Sequence, residues 1–467
     1  MTLNRICLIL LLCFSLTAVE TAAQVVARNG MVVSSNKIAS EVGIETLKKG
    51  GNAIDASVAT AFALAVTHPT AGNIGGGGFL VLMDSTSAVT TFDFREKAPL
   101  NATADMFLDA EGELPESTNL YGMPSTENHI GLKSVGVPGT VAGLYMAHQK
   151  HGVLPWADLV QPAIDLAAKG FELPFNLAQA GAFFEANSPI PFLQDYFKNE
   201  AGELTAFGAV WKQPELARTL TEIRDHGHDG FYKGVVAQEI ARYMRANGGL
   251  ITLEDLNRYT AVERSPIKGT FREYEIYAMA PPSSGGVALV EMMNLMEQAD
   301  LEAIEFNSTA YVHLLAEVMR RAYADRAEYL GDPDFAPVPV AELTDKAYAA
   351  RQRKMIDPGK ATPSTTIAPG SALLRESMDT THYSIADDKG NMVSNTYTLN
   401  ASFGSAIAVP GTGMLLNNEM GDFNAGPGLT DSTGLIGTPA NLAEPSKRML
   451  SSMTPAIINR DGEVFMV

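Results

Sequence analysis

Two adjacent threonines late in the chain, in Asp379-Thr380-Thr381-His382-Tyr383-Ser384, offer its most distinctive chemistry. They follow a Pro/Ser/Thr-rich run, Pro358 to Ser371, and open an alternation, Tyr383-Ser384-Ile385-Ala386, that reads as a strand. A threonine hydroxyl is a poor nucleophile by itself; it needs a base beside it and donors facing the oxyanion that develops. Cleavage of the chain just before the threonine supplies that base. A freed α-amine has an ordinary pKa of roughly 7.7–8.0, so a useful fraction is unprotonated near neutrality, and no histidine is required. β-Branching leaves few χ1 choices and keeps the hydroxyl aimed. The alternative for a bare Thr-Thr pair is an ordinary strand opening, and the residues downstream bear on that choice.

Those residues are Thr396-Tyr397-Thr398-Leu399-Asn400, then Leu415-Leu416-Asn417-Asn418-Glu419-Met420-Gly421-Asp422-Phe423, then Lys447-Arg448-Met449-Leu450-Ser451-Ser452-Met453-Thr454-Pro455. With Thr-Thr-His-Tyr-Ser, these ordered runs resemble the small-subunit segment of γ-glutamyltranspeptidases, members of the N-terminal-nucleophile hydrolases. Upstream, His68-Pro69 ahead of Gly72-Asn73-Ile74-Gly75-Gly76-Gly77-Gly78, the pattern Phe94-Arg95-Glu96-Lys97-Ala98-Pro99, and Pro281-Pro282-Ser283-Ser284-Gly285-Gly286 resemble the large subunit. The likeness spans about residues 29–467.

The resemblance implies a four-layer αββα sandwich and a self-cleavage bond at Asp379–Thr380, giving a large-subunit region 24–379 and a small-subunit region from 380 onward. It implies Thr380 as the nucleophile, forming an acyl-enzyme with a γ-glutamyl donor such as glutathione that water, an amino acid or a peptide resolves. Thr398 would orient the nucleophile. Asn400, Glu419 and Asp422 would hold the donor's α-ammonium, and Arg95, Ser451 and Ser452 its α-carboxylate. Guanidinium fork geometry suits that last task, although Arg95 taken alone reads as a surface partner of Glu96. No cofactor or metal is implied. The family pattern continues into a Gly-Ser-Pro-Gly-Gly turn whose amides form the oxyanion hole, whereas this sequence ends at Val467, so the expectation is an incomplete small-subunit region. Some bacterial members carry a tyrosine lid in the loop matching Pro427 to Pro439; here Thr433 lies in it.

Composition sets the compartment. Residues 1–23 read as a secretory signal, with Arg5 ahead of an apolar run, Ile6 to Leu16, and Ala22-Ala23 before Gln24, which points to a periplasmic or extracellular enzyme. Both cysteines, Cys7 and Cys13, fall inside it, so the mature chain uses neither disulfides nor thiol chemistry. The formal net charge is −19, and loss of Arg5 and Glu20 with the signal leaves it unchanged. Such an acidic body disfavours nucleic acid and anionic membranes, and an anionic substrate then needs local cations.

Periodicity places the motifs. Helices are expected over Ala53 to Val66, Val141 to Lys150, Ala157 to Ala168, Glu215 to Asp225, Val235 to Ala246, Val287 to Met296 and Thr309 to Leu330, with strands over Leu80 to Met83 and Val89 to Phe94. The glycine run follows a helix and precedes a strand, the reverse of a dinucleotide loop, and reads as close backbone packing. His148 and His151 sit one turn apart without a third metal ligand nearby and read as solvated; His226-Gly227-His228-Asp229 reads as loop. Ser34-Ser35-Asn36-Lys37 fits a Ser-x-x-Lys pattern but lacks a Lys-Thr-Gly companion. Two other functions remain open: a β-lactam side-chain (glutaryl) acylase, and an inactive secreted binding protein on the same scaffold.

Overall fold

The computed structural model describes residues 25–119, 124–188, 191–363, 366–367, 380–429 and 437–467. The 1–23 segment, Asp379 and Thr433 lie outside these residues, and among the described residues no helix is long and apolar enough to cross a membrane.

Two sheets form the centre. The first contains β1 (Gly30–Val33), β2 (Gly77–Met83), β3 (Val89–Phe94), β4 (Val262–Arg264), β7 (Thr380–Asp387) and β8 (Met392–Thr398), in the order β1-β7-β8-β2-β3-β4, all antiparallel. The second contains β5 (Ile267–Phe271), β6 (Tyr274–Ala278), β9 (Ala456–Arg460) and β10 (Glu463–Met466), in the order β10-β9-β6-β5. Alternation along β2 sends Phe79, Val81 and Met83 toward the second sheet, where they cluster with Met279, Met453 and Ile457. Leu80 and Leu82 point the other way into the main core.

Helices cover both outer faces. Helix α1 (Lys37–Lys48) starts at Asn36, whose side chain accepts from the Ile38 and Ala39 amides, and α2 (Ala53–Thr67) starts with an Asn52–Asp55 capping box. Every residue of α2 is buried, as its unbroken small and apolar sequence predicts. Tyr383 from β7 and Tyr397 from β8 reach it, donating to the Ser57 and Ala61 carbonyls. Beyond it lie α3 (Thr140–His151), α4 (Trp156–Lys169), α5 (Pro214–His226), α6 (His228–Tyr232) and α7 (Gly234–Ala246). The second sheet is covered by α8 (Gly285–Glu297), with α9 (Thr309–Tyr329) and α10 (Lys346–Arg353) behind. The expected αββα order is therefore present.

Two local expectations need correction. His148 is not solvated: it is 8% exposed, its Nε2 lies 2.8 Å from the Leu154 carbonyl and its ring leans on Trp156. The His226–Asp229 stretch is not a simple loop but a junction, with α5 ending at His226, Gly227 at φ 58° and α6 beginning at His228. The His148 partners arrive from the following turn and helix, and left-handed Gly227 lets one helix stop and the next begin, neither of which periodicity within one segment registers.

Both sheets interleave the two halves of the sequence. β7 and β8 insert between β1 and β2, and β9 pairs with β6. Neither half closes a sheet alone.

The outer helices carry an acid pair with a measurable consequence. Glu291 on α8 is 1% exposed and hydrogen-bonds Asp325 on α9, whose Oδ2 accepts from the Tyr348 hydroxyl on α10 at 2.6 Å. Burial pushes Glu291 up to about 9 and raises Asp325 too, so the pair retains a proton at neutrality. Because the folded-state pKa is raised, the cost to folding is absent below the unfolded carboxylate value and grows as pH climbs toward 9. Glu291→Gln is therefore expected to raise the melting temperature at pH 9 by roughly 2–4 °C and to change it little at pH 5. Thermal melts at both values check this; equal shifts at the two would remove the acid pair as the cause.

Candidate active site

Strand β7 has an exposed–buried alternation that separates the two threonines. Thr381 is 1% exposed, and its hydroxyl lies 2.7 Å from that of Ser35 on the helical side. Thr380 is exposed and pairs across the ladder with Thr398, which in turn opposes Gly77 of β2. The register puts Thr380 and Thr398 on the face that β2 turns toward the second sheet. Thr380 Oγ1 lies 3.5 Å from Thr398 Oγ1, at the long end of hydrogen bonding. Thr398 Oγ1 accepts the Asn400 amide at 2.9 Å, leaving its own proton to be directed elsewhere.

The glycine run explains how the backbone approaches here. A Cβ at Gly76 would collide with the Thr398 carbonyl oxygen, one at Gly78 with the Thr396 carbonyl, and one at Gly75 with the Leu415 carbonyl. Asn73 fixes the loop, donating to the Thr398 carbonyl at 2.8 Å and accepting the Gly76 amide at 2.9 Å. The expected close-packing role for these glycines is met.

After β8, Asn400 adopts φ 76°, a left-handed conformation that asparagine tolerates better than most residues. Its Nδ2 donates to the Asn418 carbonyl at 3.2 Å, and Asn418 Oδ1 accepts the Ala401 amide at 3.0 Å. Glu419 follows directly, at the start of a short 3₁₀ turn that also holds Asp422. Asn417 anchors this turn: its Nδ2 donates to the Gly75 and Gly136 carbonyls, both at 2.8 Å, and its Oδ1 accepts the Glu419 amide at 3.1 Å.

Arg95, just past β3, is fully buried and meets the acidic turn. Its Nη1 is 2.5 Å from Glu419 and 3.5 Å from Glu96, and its Nη2 bonds Asp422 and the Leu450 carbonyl, the latter at 3.1 Å. Three carboxyls thus surround one guanidinium. Burial pushes Glu96 up to about 8 and holds Glu419 well above the usual carboxylate range, despite the opposing pull of Arg95. Burial acts against the charge on Arg95, but Glu419, Asp422 and Glu96 together keep it firmly protonated.

Ser451 and Ser452 adjoin Leu450, so the guanidinium and the two serines share one corner. Ser451 is buried; its hydroxyl accepts the Met453 amide at 3.2 Å and its carbonyl accepts the Ser284 amide at 2.7 Å. The segment is pinned from behind by a buried charge cluster: Arg448 donates its amide to Asp332 at 2.8 Å and lies 3.4 Å from Asp93, which also pairs with Arg264 at 2.7 Å.

A continuous run of contacts therefore links Thr380, Thr398, Asn400, Glu419, Asp422, Arg95, Ser451 and Ser452. All eight converge, and Arg95 faces inward rather than forming the exposed pair with Glu96 that adjacency alone permits. Sequence reasoning missed five supporting residues. Glu96 reads only as a neighbour of Arg95, Asn417 and Ser284 lie within family-like runs without any sign of this contact, and Asn441 and Arg326 carry no spacing signal. Asn441 bridges Asp422 and Leu450, donating to the Asp422 carbonyl at 2.7 Å and accepting the Leu450 amide at 2.9 Å. Among the described residues no cluster of metal-ligating side chains occurs.

A family profile described as gamma-glutamyltranspeptidase matches residues 39–467. The chain is 46% identical over 446 residues to a glutathione hydrolase proenzyme of Escherichia coli, covering 94% of this chain and 75% of that protein. Among solved structures it is similar to a cephalosporin acylase from Bacillus halodurans, with TM-score 0.79 and 28% identity over 95% of this chain and 77% of that one. It is also similar to the Helicobacter pylori gamma-glutamyltranspeptidase, with TM-score 0.69 and 42% identity over 76% of this chain and 99% of that one. With the two interleaved sheets and the converging site, these matches place the chain as an enzyme of the γ-glutamyltranspeptidase family, on the N-terminal-nucleophile hydrolase fold.

Proposed function

We propose that this enzyme is exported, cleaves itself between Asp379 and Thr380, and then hydrolyses or transfers γ-glutamyl groups from donors such as glutathione. In the first reaction the Thr380 hydroxyl attacks the Asp379 carbonyl, the peptide nitrogen leaves as the new α-amine, and water hydrolyses the ester. In the second, the α-amine of Thr380 takes the hydroxyl proton as Oγ1 attacks the γ-carbonyl of the donor. Collapse expels the leaving amine with a proton and leaves a glutamyl ester on Thr380. Water, an amino acid or a peptide then attacks that ester, so hydrolysis and transfer share one intermediate. The products, 24–379 and 380 onward, remain one molecule because each sheet needs strands from both.

The observation that carries this reading is the connected path from the Thr380 hydroxyl to a corner where Arg95 meets Glu419 and Asp422. A γ-glutamyl donor presents an ammonium and a carboxylate on one carbon. Entering between Arg95 and the acids, it exchanges internal ion pairs for one at each of its own charges, with Asn400 beside the ammonium and Ser451 and Ser452 beside the carboxylate. Local complementarity of this kind also overcomes the repulsion of an acidic body for an anionic donor.

The test is an acid quench of the processed enzyme during glutathione turnover, followed by mass analysis of the fragment beginning at Thr380. One added glutamyl unit on Thr380 is expected; turnover with the label on another residue, or none, sinks the assignment. A second reading, a glutaryl-type acylase, draws on the likeness to the cephalosporin acylase. A donor without the α-amino group has no use for Glu419 and Asp422, and their convergence on Arg95 favours the glutamyl donor.

A further inference from the structure

Behind the two serines lies a buried arginine that the reaction described above does not use. Arg326, near the end of α9, is 5% exposed. Its Nη2 donates to Ser452 Oγ at 2.8 Å and its Nε donates to Ser284 Oγ at 3.0 Å. Ser284, at the start of α8, passes its own proton to the Ser451 carbonyl at 2.8 Å, and its amide donates to the same oxygen at 2.7 Å. Ser283 fastens the next turn, donating to the Met453 carbonyl at 2.7 Å.

Proton directions follow from the chemistry of the groups. A guanidinium carries donors only. Ser452 Oγ is therefore the acceptor of the Arg326 contact, and the Ser452 hydroxyl proton must be directed to an acceptor other than that guanidinium. Ser451 Oγ accepts the Met453 amide, so its proton is likewise directed away from that donor. The Ser451 carbonyl, which would repel an anion, is drawn toward Ser284 by two donors. These contacts use the Ser451 hydroxyl oxygen and, on the α8–α9 side of the bend, the Ser452 hydroxyl oxygen and the Ser451 carbonyl as acceptors.

We propose that Arg326 and Ser284 are positioning residues that polarise Ser451 and Ser452 as hydrogen-bond donors, selecting donors that carry an α-carboxylate. The inference rests on the reading of the two serines as the α-carboxylate site. It extends that reading to an α8–α9 pair that touches no substrate: the arginine charge also strengthens the Ser452 O–H as a donor through the bond it makes to the oxygen.

The test compares two donors, γ-glutamyl p-nitroanilide and its α-carboxamide counterpart, on the processed enzyme and on Arg326→Met, Arg326→Lys, Ser284→Ala and Ser452→Ala. Loss of a hydrogen bond to a charged group predicts that Arg326→Met raises KM for the carboxylate donor about 10- to 100-fold. KM for the carboxamide should stay within about twofold, so the preference between donors collapses. Arg326→Lys should restore part of that preference, and Ser284→Ala should weaken it in the same direction. A merely structural role predicts the same loss on both donors and no rescue by lysine, which would overturn the proposal. An unchanged preference in Arg326→Met alongside a collapsed one in Ser452→Ala overturns the clamp while keeping the carboxylate site. An unchanged preference in Ser452→Ala removes the site itself, and the clamp with it. If Arg326→Met does not fold, Ser284→Ala decides: an unchanged preference there overturns the clamp.

Discussion

Thr380→Ala is expected to remain a single polypeptide and to lose γ-glutamyl turnover by roughly 10⁴-fold or more, as removal of a nucleophile does elsewhere. In the proposed mechanism both losses come from one atom, Oγ1, which attacks in processing and again in donor cleavage. Thr381→Ala is the informative control. Its hydroxyl faces Ser35 on the helical side of the sheet and cannot reach the face that carries Thr398. Thr381→Ala should therefore still process and turn over, losing only a hydrogen bond to the exposed Ser35 hydroxyl. Thr380→Ser keeps the hydroxyl but loses the methyl that restricts χ1, so slower processing is expected rather than none. Intact mass and donor kinetics read all three variants. Cleavage before residue 380 in Thr380→Ala, or a loss of turnover confined to Thr381→Ala, would move the nucleophile away from Thr380.

The proposed processing at that bond suits the way the two halves of the sequence share the sheets. The sequence before Thr380 contributes β1, β2, β3 and β4 to one sheet and β5 and β6 to the other, while the sequence from Thr380 onward contributes β7 and β8 to the first and β9 and β10 to the second. A cut before β7 would leave each ladder intact and keep a terminus at Thr380 registered against Thr398. A nucleophile created by cleavage must remain aimed afterwards, and here the ladder to β8, which runs from Thr380 to Ala386, with β1 joined to Ser384–Asp387 further along, provides that rigidity.

Much of this was legible in the sequence, for identifiable physical reasons. Helix α2 was visible because its burial on every side leaves an unbroken small and apolar run, and β3 because it is bounded by turn residues on one side and by charges on the other. The convergence of Thr380, Arg95, Asp422 and Ser452 was available only through family resemblance, because residues separated by hundreds of positions carry no local signal of contact. The burial of His148 is hidden from the sequence for a related reason: Trp156 and the Leu154 carbonyl approach it from the following turn and helix. Arg326 was invisible for the same cause. On α9 it falls among other charged residues, and nothing in Tyr323-Ala324-Asp325-Arg326 distinguishes the side chain that enters the site from those that do not.

Removing Arg95 tests the electrostatics of the corner most severely. Arg95→Met takes away the only cation in direct contact with Glu96, Glu419 and Asp422 among the described residues, leaving two fully buried carboxyls and one partly exposed at 28%. Breaking a buried ion pair in this way costs about 3–5 kcal/mol, most of it from the acids left behind. The cost depends on pH with a definite sign. Glu96 already stands at about 8 and Glu419 well above its ordinary value, and removal of the opposing charge pushes both higher. Groups with raised folded-state pKa values cost nothing below the unfolded value and progressively more as pH rises through the folded one. Arg95→Met should therefore be only mildly destabilised at pH 5 and severely so at pH 8, as urea unfolding at the two values would measure. Adding Glu419→Gln should recover part of the loss at pH 8, since it removes an acid that has lost its partner. Asp422→Asn separates stability from binding: its partial exposure predicts a small stability change, while KM should rise for γ-glutamyl donors and not for glutaryl ones. A pH-independent loss in Arg95→Met would show that packing, rather than the three acids, dominates this corner; equal weakening of both donor classes in Asp422→Asn would take the α-ammonium away from it.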